Sequence, residues 1–207
     1  MAQKYLSTTL TESVCRAQQQ YYDRSIAVRE IPDRDSLGKA EAAFIAARDS
    51  FYLGSVSETG WPYIQHRGGA PGFLRLLDSH TLAFADYQGN RQLISTGNLL
   101  VNNRVALFLM DYRGRRRLKI VGHARIKNVQ EVDTETLQHM GVPPRTQVER
   151  VIFVDVLGYD WNCPKHISPR YSTEDVEELV ASLRGRISQL EDDLQSLRDR
   201  RLESTAS

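Results

Sequence analysis

The chain has 207 residues, 27 basic against 26 acidic, and a formal charge of +1. That length suffices for one domain with a sizeable core and an appendage, whereas a protein that wraps nucleic acid carries a clear basic excess. The two cysteines and five histidines show neither zinc spacing nor a disulfide framework, and no stretch approaches the roughly 18–20 apolar residues of a membrane span. The N-terminus also lacks the apolar centre of a signal peptide. The expectation is a cytoplasmic protein with no metal, membrane or nucleic-acid partner.

In chain order, residues 1–35 form a helical segment. Thr9 and Glu12 have the spacing of a capping box, and Leu10, Val14, Ala17 and Tyr21 follow at helical intervals. After the turn-rich "REIPDRDS", the stretch "LGKAEAAFIAAR" predicts a second helix capped by Asp35 or Ser36. From residue 50 the texture becomes that of strands. "SFYLGSVS" and "WPYIQHR" flank a turn at "ETG", "FLRLLD" and "TLAFADY" flank "SH", and "RVALFLMDY" and "RLKIVGHARIKNV" flank "RGR". "ERVIFVDVLGYDW" is a further long strand, with short helical insertions at "NRQLISTGNLLVNN" and "VDTETLQHMG". This density of Val, Ile, Phe and Tyr predicts a barrel of antiparallel strands over residues 36–171.

Residues 172–207 carry the most regular pattern. Val176, Val180, Leu183, Ile187, Leu190, Leu194 and Leu197 alternate spacings of four and three, the seam of a heptad repeat. One set holds Val180, Ile187 and Leu194, the other Val176, Leu183, Leu190 and Leu197, and β-branched residues in the first with mostly Leu in the second suit a parallel two-stranded coil. In such a pair Arg186 faces Glu191 of the second helix and Asp193 faces Arg198. A long helix laid on its own domain is the other way to use the same seam. Ser172 or Thr173 can cap this helix, with Glu174 and Asp175 in its first turn.

One loop carries chemistry. In "FADYQGNRQ" a buried strand ends in Asp86, a glycine, two amides and an arginine. Gly89 permits a sharp turn, after which Asn90, Arg91 and Gln92 are expected to open a helix. Its free N–H groups bind phosphate, Arg91 adds a charge-assisted contact, and Ser95 can reach back from the next turn. Gln65, His66 and Arg67 end a neighbouring strand ahead of Gly68, Gly69 and Gly72. Arg115, Arg116, Arg117 and Lys119 start another strand, and Trp161, Asn162, Lys165, His166 and Arg170 precede the terminal helix. Asp86 and Asp111 lack a partner that would mark a general acid–base pair and read as turn residues, Cys163 as a small packed residue, and "RGRRRLK" as a solvated hairpin or as phosphate contacts.

Over residues 40–170 these stretches resemble the split-barrel flavin-binding relatives of pyridoxamine phosphate oxidase, in particular "FYLGSVSETGWPYIQHRGGAPGFLRLLD", "TLAFADYQGNRQLISTGNLLVNNRVALFLMDY" and "WNCPKHISPR". The resemblance implies a mainly β (α+β) fold: a six-stranded FMN-binding split barrel, with N-terminal helices and a C-terminal coiled-coil helix added. It implies a homodimer with FMN at the subunit interface. Asn90 and Arg91 match a Ser and an Arg that hold the FMN phosphate, and Gln92 replaces a Lys. Arg67 lies on the strand of a further phosphate-binding Arg, and Lys119 is a further candidate. Arg117 falls where a Gln touches the flavin ring. Trp161 matches a Trp that reaches FMN across the interface, and Arg170 the Arg that follows it. Gln65 and His66 are candidates for the ring or the ribityl chain, and Ser95 for the phosphate.

The oxidase's substrate-binding Arg-x-His pair is replaced here by Ile167 and Pro169, which argues against oxidation of pyridoxamine phosphate. The implied activity is therefore FMN-dependent electron or hydride transfer to or from another small molecule. The alternative is a module that binds flavin, deazaflavin or haem for storage or sensing.

Overall fold

The computed structural model describes residues 3–24, 26, 32–89, 91–142, 147–161 and 165–205, with side chains as far as 198. The chain divides into two units, one of residues 1–111 with 115–167, the other of 112–114 with 168–207.

The first unit is built on one antiparallel sheet of seven strands, one more than the resemblance implies. They are β1 (Ser50–Val56), β2 (Pro62–Gly68), β3 (Arg75–Asp78), β4 (Thr81–Tyr87), β5 (Arg104–Asp111), β6 (Arg116–Asn128) and β7 (Val148–Trp161). Their order across the sheet is β2-β1-β5-β6-β7-β4-β3. Sequence alternation decides which side chains meet. Phe51 and Leu53 of β1, Leu107 and Leu109 of β5, Leu118 and Ile120 of β6 and Leu82 and Phe84 of β4 all point into one core. β4 and β7 are buried on both faces. Ile152 and Val154 belong to the main core, while Ala83, Val151 and Phe153 pack with Val132 and Met140 on the other side. This is why "LAFA" and "VIFV" read as unbroken apolar runs.

The sheet is rolled. β2 and β4 are five places apart in the ladder, yet Arg67 of β2 donates from Nη1 to Asp86 Oδ1 of β4 at 2.6 Å. Phe51 of β1 meets Phe84 of β4 edge to face, with ring centroids 5.2 Å apart. Side chains bridge β2 and β4 where no backbone ladder joins them.

Helices precede the sheet and interrupt its strands. α1 (Gln3–Thr9) and α2 (Glu12–Tyr22) are separate helices broken at Leu10 and Thr11, so Thr9 ends a helix and does not open one. α3 (Lys39–Ala46) begins after Gly38, whose N–H is accepted by Glu41 Oε2 at 2.9 Å. Asp35, expected to cap α3, caps α1 instead. Its carboxylate accepts from the N–H groups of Lys4 and Tyr5 at 3.0 Å each and from Tyr159 at 3.3 Å. α4 (Ile94–Val101) follows β4, and α5 (Thr134–His139) is capped by Asp133.

The second unit is the tip of the β5–β6 hairpin with α6 (Thr173–Thr205), a helix of 33 residues and so about 50 Å long. Ser172 and Asp175 cap it reciprocally: Ser172 Oγ accepts from the Asp175 N–H at 3.1 Å, and Asp175 Oδ2 from the Ser172 N–H at 3.0 Å. Arg113 of the hairpin tip pairs with Asp175, and the Arg170 guanidinium lies 4.6 Å from the Tyr112 ring centroid. Among the described residues no helix is long and apolar enough to cross a membrane.

Candidate functional site

A cleft of about 210 Å³ opens where β2, β4, β7 and the start of α4 converge, lined by Tyr63, Gln65, Arg67, Asp86, Tyr87, Arg91, Gln92, Ser95, Thr96, Glu149 and Arg150 among others. Strand alternation sets its contents. Tyr63, Gln65 and Arg67 share one face of β2, and Asp86 of β4 is the ladder partner of Arg150 on β7. Asp86 is the hub. One carboxylate oxygen accepts from Arg67 and the other from Arg150, whose Nε and Nη2 both lie at 3.0 Å. The three side chains are 8%, 16% and 16% exposed. Arg150 also meets Glu149 Oε2 at 2.8 Å. Asp86 is thus no turn residue; its partners lie across the rolled sheet. Asp111 likewise pairs with Arg116 at 3.0 Å and with Arg48 at 3.7 Å.

The approach to α4 differs from the expected helix start at Asn90–Gln92. Arg91 and Leu93 both hold left-handed backbone, with φ of 61° and 52°, so the helix opens only at Ile94. Non-glycine residues in that region cost on the order of 1 kcal/mol or more each and cluster at functional sites. Asn90 lies outside the described residues. Ser95 is buried, and its Oγ donates to Gln65 Oε1 at 2.6 Å, tying α4 to β2. The first-turn N–H groups of α4 have no intrahelical acceptor and carry the positive end of the helix dipole at the cleft.

Three arginines against two carboxylates leave the lining positive by one charge. Arg67 Nε is buried with no hydrogen-bond partner among the described residues. This donor set, with Arg91 at the rim and a helix N-terminus at the wall, fits a phosphate or another oxyanion.

Five of the sequence-derived candidates therefore meet in one cleft: Gln65, Arg67, Arg91, Gln92 and Ser95. Others go elsewhere. His66 alternates onto the opposite face of β2, its ring centroid 5.7 Å from that of Tyr52. Ladder partners carry that outer face across the sheet from His66 through Tyr52 and Phe108 to Lys119, with Arg117 two residues along. Lys119 is paired with Asp160 at 2.9 Å, and Arg117 has a buried Nε without a partner among the described residues.

Trp161 turns inward. It donates from Nε1 to Glu41 Oε1 at 2.7 Å and meets Phe44 edge to face at 4.7 Å. Burial pushes the Glu41 carboxyl up. The hydrogen bonds from Trp161, the backbone at Glu41 and Gly38, and Tyr159 outweigh it and hold the carboxyl below its ordinary value. Tyr159 is raised, by burial first and then by the charges of Glu41 and Asp35. Arg170 belongs to the second unit, stacked on Tyr112.

Asp86, Arg150, Glu149, Tyr63 and Thr96 complete the cleft and were not among the candidates. The sequence does hold a signal for two of them. Opposite charges interrupt the apolar strands "TLAFAD" and "RVIFV", one at the end of each.

The first unit is thus an open antiparallel barrel with an arginine-lined cleft between β2, β4, β7 and α4. The sequence profile described as pyridoxamine 5'-phosphate oxidase matches residues 37–154, more than half of the chain, and the chain belongs to that family. No curated protein matches it. Among solved structures, HupZ from Group A Streptococcus aligns with a TM-score of 0.49 at 16% identity, over 65% of this chain and 99% of that one. A putative pyridoxamine 5'-phosphate oxidase from Lactobacillus delbrueckii gives 0.47 at 15%, over 60% and 93%. An FMN-binding protein from Syntrophomonas wolfei gives 0.42 at 12%, over 60% and 84%.

Proposed function

We propose that the cleft binds the phosphate end of FMN and that the protein is an FMN-dependent oxidoreductase. The observation that carries this reading is the arginine arrangement. Arg67 and Arg150 are fixed on Asp86, and Arg67 keeps an unpartnered buried Nε, beside Arg91 and the first turn of α4. Arg67, Arg91, Gln92 and the α4 N–H groups hold the phosphate, with Asn90 beside them in sequence. Gln65, fixed by Ser95, faces the ribityl chain. Bound flavin supplies hydride and electron transfer through its ring system. The chain's own part is to bind, orient and exclude water.

The cleft volume of about 210 Å³ is below the roughly 300–1,000 Å³ of pockets that enclose a drug-sized ligand. The ring therefore lies beyond it and needs a second cover. A homodimer provides one. The outer face with His66, Arg117 and Lys119 also exposes Tyr52 and Ile64 and is the surface on which a second copy seats, as the family resemblance implies. Trp161 and Arg170 contribute through the contacts that hold them: Glu41 shapes the β7 end, and Tyr112 anchors the start of the terminal helix.

A second reading, binding without turnover, is favoured by one feature. Both carboxylates in the cleft are engaged by arginine, so neither is free to act as a general base. The deciding experiment is the visible spectrum of the purified protein, with mass spectrometry of what heat releases, followed by addition of a reduced nicotinamide. A flavin spectrum, the mass of FMN and bleaching on reduction with recovery by an acceptor support the oxidoreductase. Bound flavin that no donor reduces supports the binding module. Colourless protein that takes up no added FMN overturns both.

A further inference from the structure

We infer that α6 is an interaction surface for a second copy of this chain, and that the two helices pair as a parallel, in-register two-stranded coiled coil. This inference is independent of what the cleft binds.

Along about 50 Å of helix, Val176, Val180, Leu183, Ile187, Leu190, Leu194 and Leu197 form one stripe, all at least partly open to solvent, with Leu183 and Ile187 each 55% exposed. A continuous exposed apolar stripe on a polar helix marks an interface. Within its own unit the helix is fastened at its root, where Ser172 and Asp175 cap it and Arg113 pairs with Asp175.

Three observations select a second copy as the occupant. The stripe is a heptad seam, so an identical helix presents matching knobs and holes. One set holds Val180, Ile187 and Leu194 and the other Val176, Leu183, Leu190 and Leu197, and β-branched residues leading the first with mostly Leu in the second favour two parallel strands. The flanking charges are self-complementary in that register, because Arg186 faces the second copy's glutamate at 191 and Asp193 faces its arginine at 198. None of those four residues sits in the seam itself.

Single cysteines test the geometry in the full-length chain. The background carries Cys15→Ser and Cys163→Ser. Into it go, separately, Val180→Cys and Leu197→Cys in the seam and Ser182→Cys on the opposite face. Each variant is oxidised mildly and run without reductant. In a parallel in-register pair, like positions of the seam meet within the roughly 4.4–6.8 Å Cα separation that a disulfide spans. Val180→Cys and Leu197→Cys then each form a covalent dimer, at least several times faster than Ser182→Cys. Cross-linking no faster than Ser182→Cys at both seam positions overturns the pairing. Cross-linking only when the Val180→Cys and Leu197→Cys chains are mixed overturns the parallel orientation, since an antiparallel pair brings 180 against 197. Leu183→Cys repeats the test at an independent seam position should either variant fail to give the wild-type circular dichroism.

Discussion

Replacing Asp86 by asparagine removes the one negative charge that both Arg67 and Arg150 grip, while keeping the side chain's size. Breaking a buried pair by deleting one partner costs about 3–5 kcal/mol, because the other charge is left buried and unpaired. Arg67 is orphaned here, which argues for the upper end, while Arg150 keeps Glu149 at 2.8 Å. Each arginine is 16% exposed at a cleft open to water, which argues for the lower, and about 3 kcal/mol is the working figure. For a domain of this size each kcal/mol shifts Tm by roughly 2–4 °C, so Asp86→Asn is expected to melt about 6–12 °C below wild type by circular dichroism. Inorganic phosphate then discriminates. If the arginines form an oxyanion site, phosphate replaces the missing carboxylate. At a hundredfold excess over its Kd it returns about 2.7 kcal/mol, most of the loss, and sodium chloride of the same ionic strength does not. A Tm within about 2 °C of wild type refutes the energetic role of Asp86. A loss that phosphate leaves untouched refutes the oxyanion site.

Other expectations follow from single contacts. Arg91→Ala removes a charge-assisted hydrogen bond worth about 1.5–3 kcal/mol and should weaken FMN by roughly ten- to a hundredfold in a fluorescence titration, against an unchanged melting curve for the apoprotein; unaltered affinity would place the phosphate elsewhere. Glu41→Gln tests pH linkage. The folded carboxyl is lowered, so its contribution is complete above the unfolded value of about 4.3 and disappears as pH falls through the lower folded value. The stability gap between wild type and Glu41→Gln should therefore close on acidification below about pH 4, followed by Trp fluorescence; a gap constant from pH 7 to 3 counts against the assignment. Gly158→Ala places a Cβ 2.5 Å from the backbone nitrogen of Tyr5 and 2.8 Å from Asp35 Oδ2. Overpacking of this kind costs about 1–3 kcal/mol, and limited proteolysis should release the N-terminal segment first; equal protection would mean that α1 can shift without loss.

How much of this is legible in the sequence depends on the range over which each feature is decided. Hairpins are local. Gly60, at φ of 86°, turns β1 into β2 where "ETG" announces it, and the alternation of Phe51, Leu53 and Ser55 against Tyr52 and Gly54 fixes which face is buried. The family could be read for the same reason, since its motifs are contiguous stretches. The partners of Asp86 are a different matter. They come from β2 and β7, 19 and 64 residues away, and only the rolling of the sheet brings them together. Asp35 misleads similarly: it stands where a cap for α3 belongs, yet its acceptors serve a helix 30 residues earlier. His66 illustrates the reverse error. Its adjacency to Gln65 and Arg67 in sequence suggests a shared lining, but a strand sends neighbours to opposite faces.

The Asp35 cluster also bears on the order in which the chain acquires structure. α1 leaves the ribosome before the strands of the sheet, since synthesis runs from the N-terminus, but the carboxylate that caps it is held in turn by the N–H of Tyr159, 124 residues beyond it, while the Asp35 N–H donates to Leu157 O at 3.0 Å. A helix of seven residues is too short to persist unaided in water. The full set of hydrogen bonds that the Asp35 carboxylate accepts is therefore in place only when β7 is docked, which makes α1 a latch on the completed sheet.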